Sequence, residues 1–324
     1  MITCMSSTAQ GSSPARPPRI GVALGSGGAR GWAHVGVLRR LQELNVPIAC
    51  VAGTSIGAIM GAAFAANRLD VLENLTYQLD WRRVAQLLFE VSFPRTGLLT
   101  GKRIQQLLQD VIGVQNIEDL NIPFAAVAAN LQTGKEVVFT RGNVVDAIRA
   151  SISIPGIFVP ALYEGQHLVD GGTTNPVPID VVEALGAEVV IAVDVNLHSG
   201  HGSATAHKPL APVNAAAAHH VADILAHIGK PLPVHGAVAD AMQRWFRRET
   251  QGLSIFDVLT RSARISENQI THSRLLLHPP ALLIQPHVGD IETLEFHRSI
   301  QAIEAGRAAA DACVKQIREL MGEE

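Results

Sequence analysis

The amino-acid sequence predicts an α/β domain on a mainly parallel sheet, carrying a His-rich insertion, and three observations support this. Two short apolar runs, Ile20–Leu24 and residues 48–52, each lead into a glycine-containing loop and then a helix-patterned stretch, the sequence form of a βαβ unit. Residues 189–195 form the most β-branched run in the chain, as expected of a central strand buried on both faces. Over 324 residues, 47% are hydrophobic and 17% charged, which supplies a core and makes disorder the exception.

Taken in order, residues 1–19 are rich in Ser, Thr and Pro and read as a disordered leader. After the first strand, residues 32–44 carry Val35, Leu38 and Leu41 on one helical face. The second strand leads into a helix of small residues ending at Asn67. Residues 68–122 read as mainly helical, with a Pro/Gly break at 94–101 and a new helix start at Lys102 and Arg103. Strands are expected at 124–129 and 136–140, joined by a turn at 132–135, and then a helix over Val144–Ser151. Pro155, Gly156 and Pro160 mark a loop before a short strand at 167–169, which ends in Asp170, Gly171 and Gly172. Residues 20–197 thus form the expected core, and 198–252 an insertion whose 198–235 stretch is rich in His, Ala, Gly and Pro. Residues 253–324 complete the domain with a helix at 254–278, a strand at 281–285 and a helix at 295–321. No internal repeat is evident.

Several function classes drop out on composition. The formal net charge is -3 and the pI about 6.5, without the basic face of a nucleic-acid binder. Mean hydropathy is +0.20, yet the apolar stretches at 48–66 and 189–195 are too short or too interrupted for a spanning helix of about 20 residues. Cys4, Cys50 and Cys313 form neither a disulfide framework nor a zinc pattern. Residues 1–19 lack the apolar run of a secretory signal, so the cytoplasm is the expected compartment.

The chemistry concentrates in three places. Gly53-Thr-Ser-Ile-Gly57 has the G-x-S-x-G form between a strand and a helix. There a serine on a tight turn projects at the carboxyl edge of the sheet, near the positive end of the helix. The plainer alternative is an N-cap Ser55 flanked by packing glycines. Gly25-Ser-Gly-Gly-Ala-Arg-Gly31 also lies between strand and helix, where backbone N–H groups can hold an anion, either a pyrophosphate or an acyl-transfer oxyanion. The sixth residue of that loop is Arg30 and no acid closes the second strand, so a dinucleotide site is excluded. Residues 97–102 likewise fail the Walker pattern. Asp170, followed by two glycines, is the candidate base, or simply a turn residue. His34 reads as a packing or hydrogen-bonding residue inside the first helix, and Arg30 as either positive potential behind the loop or a structural ion pair. His219, His220, Asp223 and His227 fall near one helix face, as a metal site or as part of a solvated insertion. The 237–248 helix, with Val238, Met242, Trp245 and Phe246 beside three arginines, suits an interfacial helix in peripheral membrane contact, or an ordinary docked one.

The glycine loop ending Ala29-Arg30-Gly31, the Gly53–Gly57 elbow, the Ser151-Ile-Ser-Ile-Pro-Gly-Ile-Phe stretch and Asp170-Gly171-Gly172 occur in that order. Together they resemble the patatin-like phospholipase family, in particular its bacterial branch related to neuropathy target esterase, over about residues 20–200. The resemblance implies a three-layer α/β/α fold and a serine acyl hydrolase of the phospholipase or lysophospholipase type, with no cofactor, no metal and no catalytic histidine. The alternatives are an esterase or thioesterase on small non-lipid acyl esters, or a catalytically silent regulatory protein on the same fold, which intact Ser55 and Asp170 argue against. It makes Ser55 the nucleophile, Asp170 the general base, and the amides of Gly27, Gly28 and Ala29 the oxyanion hole. Gly25, Arg30, Gly31, Gly53, Gly57, Gly171 and Gly172 are supporting positions. The family loop often begins Asp-Gly-Gly-Gly; Gly25 and Ser26 stand in its first two places here. Head group, acyl length and oligomeric state are not specified by these motifs.

Overall fold

The computed structural model describes residues 18–76, 99–196 and 255–322. The leader up to residue 17 and the insertion, including its histidine cluster and the 237–248 helix, lie outside the described residues. The chain runs β1 (Ile20–Leu24), α1 (Ala33–Glu43), β2 (Ile48–Thr54), α2 (Ile56–Ala65), α3 (Leu69–Thr76), α4 (Lys102–Ile112), β3 (Phe124–Asn130) and β4 (Glu136–Phe139). It continues with α5 (Val144–Ser151), β5 (Ala161–Tyr163), β6 (Gln166–Asp170), α6 (Ile179–Ala184), β7 (Val189–Val193), α7 (Ile255–Leu277), β8 (Leu282–Ile284), α8 (Ser299–Ala312) and α9 (Val314–Met321). One sheet takes the order β5-β6-β3-β2-β1-β7-β8, with β4 also paired to β3. The five strands β3, β2, β1, β7 and β8 are parallel, and β4, β5 and β6 pair antiparallel.

Alternation along the central strands assigns the two faces. Val22, Leu24, Val51, Ile191 and Val193 pack with α1, α2, α3 and α8, while Ala23, Ala52, Val190 and Ala192 pack with α6 and Leu275 of α7. Phe124, Ala126 and Ala128 extend the first face toward α4 and α5. The result is helices on both sides of a mixed, mostly parallel sheet. Successive strands from β1 step to β2 and β3 on one side, whereas β7 and β8 lie on the other. The carboxyl end of β1 is therefore where the strand order reverses, the usual position of a ligand crevice in such sheets.

Some elements depart from expectation. A 3-10 turn over Gly28–Trp32 precedes α1, so the α-helix begins at Ala33. Two elements are new, β5 and the six-residue α6. The C-terminal helix is split at Cys313, whose φ of -104° belongs to neither helix. Helices α1 and α8 cross closely: a Cβ on Gly306 would lie 2.0 Å from the Ala33 carbonyl oxygen, and one on Gly36 2.0 Å from that of Ile303. Because backbone cannot yield as a side chain can, Gly306→Ala is expected to lower stability by about 1–3 kcal/mol. The measurement is the shift in urea midpoint at constant slope.

Candidate active site

The pairing of β1 with β2 in parallel register, Leu24 opposite Gly53, sets the loops that follow these strands side by side. At the end of β2 the chain turns sharply into α2 through Ser55, whose φ of 57° and ψ of -124° lie in a region that non-glycine residues rarely adopt. The flanking glycines have steric reasons. A Cβ on Gly53 would lie 2.2 Å from the Gly57 carbonyl oxygen, and one on Gly57 would lie 2.2 Å from that of Leu24. The strained turn is held from the side: Ser55 N–H donates to Ser151 Oγ at 2.8 Å, and Ser151 Oγ–H donates to the Val127 carbonyl at 2.5 Å. Ser151 thereby ties the elbow to β3.

Asp170 reaches the same point from β6, which lies on the far side of β3 from β2. It closes β6, opposite Ala128 of β3, and its N–H donates to the Ser153 carbonyl at 3.0 Å. The buried carboxylate accepts the Ser55 hydroxyl at Oδ2, 2.5 Å away, and the Gly172 N–H at Oδ1, 2.8 Å away. Burial pushes the Asp170 pKa up to about 7 and the nearby Glu267 carboxylate adds to the rise, against the opposing bonds from Ser55 and Gly172. A Cβ on Gly171 would lie 2.2 Å from the Val127 carbonyl oxygen, so the turn after Asp170 can press directly on β3.

The glycine loop is anchored amide by amide. Gly25 N–H donates to Val193 O, Ser26 N–H to Pro176 O and Ala29 N–H to Thr293 O, the last at 2.9 Å. The Ala29 amide is thus engaged by the chain's own backbone, a departure from its expected place among the anion-holding amides. Gly27 and Gly28 stand between the anchored positions; Gly28 has φ of 58°, and a Cβ there would meet Thr293 O at 2.5 Å. Gly31 lets the loop abut Ile56, which a Cβ would approach to 2.2 Å. Buried Arg30 donates to Ile291 O at 2.9 Å and Asn196 Oδ1 at 2.8 Å, so it braces the loop through neutral acceptors. Burial, then repulsion from Arg264, lowers its pKa to about 10, and it stays cationic at neutral pH. His34 is buried, held neutral by desolvation with its pKa lowered to about 4, and its Nε2–H donates to Gly25 O at 2.8 Å. It supports the loop.

Three residues at this site escaped sequence reasoning. Ser151 was part of a motif without a role, whereas Glu267 and Asn196 gave no local signal. Glu267 Oε2 accepts from Ser26 Oγ and from Asn196 Nδ2, both at 3.0 Å. Among the described residues, no group of three or more His, Cys, Asp or Glu side chains is placed to hold a metal, and no helix is long and apolar enough to cross a membrane.

The patatin-like phospholipase family model matches residues 22–182. An uncharacterized NTE family protein of Mycobacterium bovis is 34% identical over 327 residues, covering 90% of this chain and 90% of that one. The neuropathy target esterase of Drosophila melanogaster is 35% identical over 183 residues, covering 54% of this chain and 13% of that protein. Among solved structures, VipD from Legionella pneumophila aligns with a TM-score of 0.47 at 13% identity, over 93% of this chain and 67% of that one. On the extent of the family match and of the mycobacterial likeness, the chain belongs to the patatin-like phospholipase family.

Proposed function

We propose that this protein is a serine acyl hydrolase of phospholipids or lysophospholipids, working through a Ser55–Asp170 dyad and an acyl-enzyme. The observation that carries the proposal is the 2.5 Å hydrogen bond from Ser55 Oγ to Asp170 Oδ2 in a buried, strained elbow. Membership of the patatin-like phospholipase family supports a lipid ester as substrate. Asp170 takes the Ser55 proton as Oγ bonds to the ester carbonyl carbon. The resulting oxyanion is held by the amides of Gly27 and Gly28, with Ala29 anchoring the loop, and by the positive end of α2. Collapse breaks the ester C–O bond, and Asp170 returns the proton to the leaving alcohol. Water then attacks the acyl-enzyme, gives its proton to Asp170, and Ser55 leaves with that proton as the fatty acid departs.

The base acts only when ionised, so kcat/KM is expected to rise with pH through about 7, the value to which Asp170 is raised. The test is fatty-acid release from phosphatidylcholine and lysophosphatidylcholine dispersions, beside a short-chain ester and an acyl thioester. Preferred turnover of either lipid, with a single acidic limb near neutrality, is the expected result. Turnover confined to the short ester or the thioester overturns the lipid assignment. Folded protein inert toward all four overturns the hydrolase reading.

A further inference from the structure

The carboxylate of Glu267 takes no part in the mechanism above, yet it reaches both halves of the site. It projects from α7, 241 residues from Ser26 in sequence, and its Oε2 accepts from the Ser26 hydroxyl of the glycine loop. The same oxygen accepts from Asn196, whose Oδ1 in turn takes the Arg30 guanidinium. Its other oxygen faces the turn that presents Asp170. The point where a Cβ on Gly172 would sit lies 2.8 Å from Glu267 Oε1 and 3.1 Å from Asp170 Oδ1. Only a missing side chain lets the two carboxylates approach across that point. A second carboxylate beside the buried Asp170 raises the cost of ionising each of them.

We propose that Glu267 is a second acidic member of this site, a positioning residue that holds the glycine loop through Ser26 and places a second negative charge behind Asp170. The inference rests on the Ser55–Asp170 reading. Its surroundings fix the signs. Burial raises the Glu267 pKa, and the bonds from Ser26 and Asn196 and the Arg30 cation oppose that rise, while Asp194 adds to it. Arg264, on the same helix, and Glu292, from the C-terminal segment, act on Arg30 with opposite signs. Asp170 accepts its two hydrogen bonds from neutral groups, so the Glu267 charge falls on it without a neutralising partner in hydrogen-bond contact. Removing that charge while keeping an acceptor for Ser26 and Asn196 therefore makes Asp170 easier to ionise and weaker as a base.

The experiment is the rate of fluorophosphonate labelling of the full chain, followed by intact mass between about pH 5 and about pH 9. It compares wild type with Glu267→Gln and Glu267→Asp. The acidic limb of Glu267→Gln is expected to move down by about one pH unit, with a lower plateau. Below the wild-type midpoint the variant then labels up to about tenfold faster relative to its own plateau. Glu267→Asp, which withdraws the carboxylate by one methylene, is expected to shift the same way by less. A midpoint unmoved in whichever of these variants folds overturns the proposal, because damage to packing alone lowers the plateau and leaves the limb in place. Wild type that never labels at Ser55 overturns the dyad reading instead, so the two failures are distinct.

Discussion

Ser55→Ala is expected to abolish covalent labelling by a fluorophosphonate and to lower ester turnover by at least about 10⁴-fold, with the fold retained. The size follows from the geometry. Ser55 is 4% exposed, and its hydroxyl points at Asp170 from a backbone that the flanking glycines and Ser151 hold in place. Alanine keeps that backbone contact, since the bond to Ser151 uses the amide, and removes only the oxygen. The variant loses one hydrogen bond to a buried acid, which leaves its circular dichroism and urea midpoint close to those of wild type. A folded Ser55→Ala protein that still carries one adduct per chain would place the nucleophile elsewhere and end the proposed mechanism.

Such variants can be chosen because much of the site is written locally in the chain. Gly53 and Gly57 mark the elbow since their Cβ atoms would strike backbone, and that constraint depends on a few adjacent residues. The parallel core was legible for a similar reason: Val22, Leu24, Ile191 and Val193 alternate with small residues on strands buried on both faces. What escaped reading depends on contacts between distant segments. The engagement of the Ala29 amide is decided by where Thr293 comes to rest. Glu267 looks like any helical acid until α7 docks beside Ser26 and Gly172. β5 has three residues, with Leu162 69% exposed, too short and too wet to show a pattern. The break at Cys313 has no glycine or proline to announce it.

Asp170→Asn should separate a base from a merely structural carboxylate, because its effects on activity and stability are expected to have opposite signs. Asparagine has a similar shape and still accepts the Gly172 N–H, but it takes no proton, so turnover is expected to fall by about 10³–10⁴-fold. Stability runs the other way. The Asp170 pKa is raised on folding from 3.8 to about 7, so the unfolded chain loses its proton first. That group's contribution is therefore fully present below about pH 4 and is lost progressively as pH rises toward 7. A neutral amide carries no such dependence. The urea midpoint of Asp170→Asn is expected to gain on wild type across that window and to hold a constant lead above it. An inactive variant whose midpoint instead falls below wild type at every pH would mean that the carboxylate is needed to build the site. The loss of turnover would then say nothing about proton transfer.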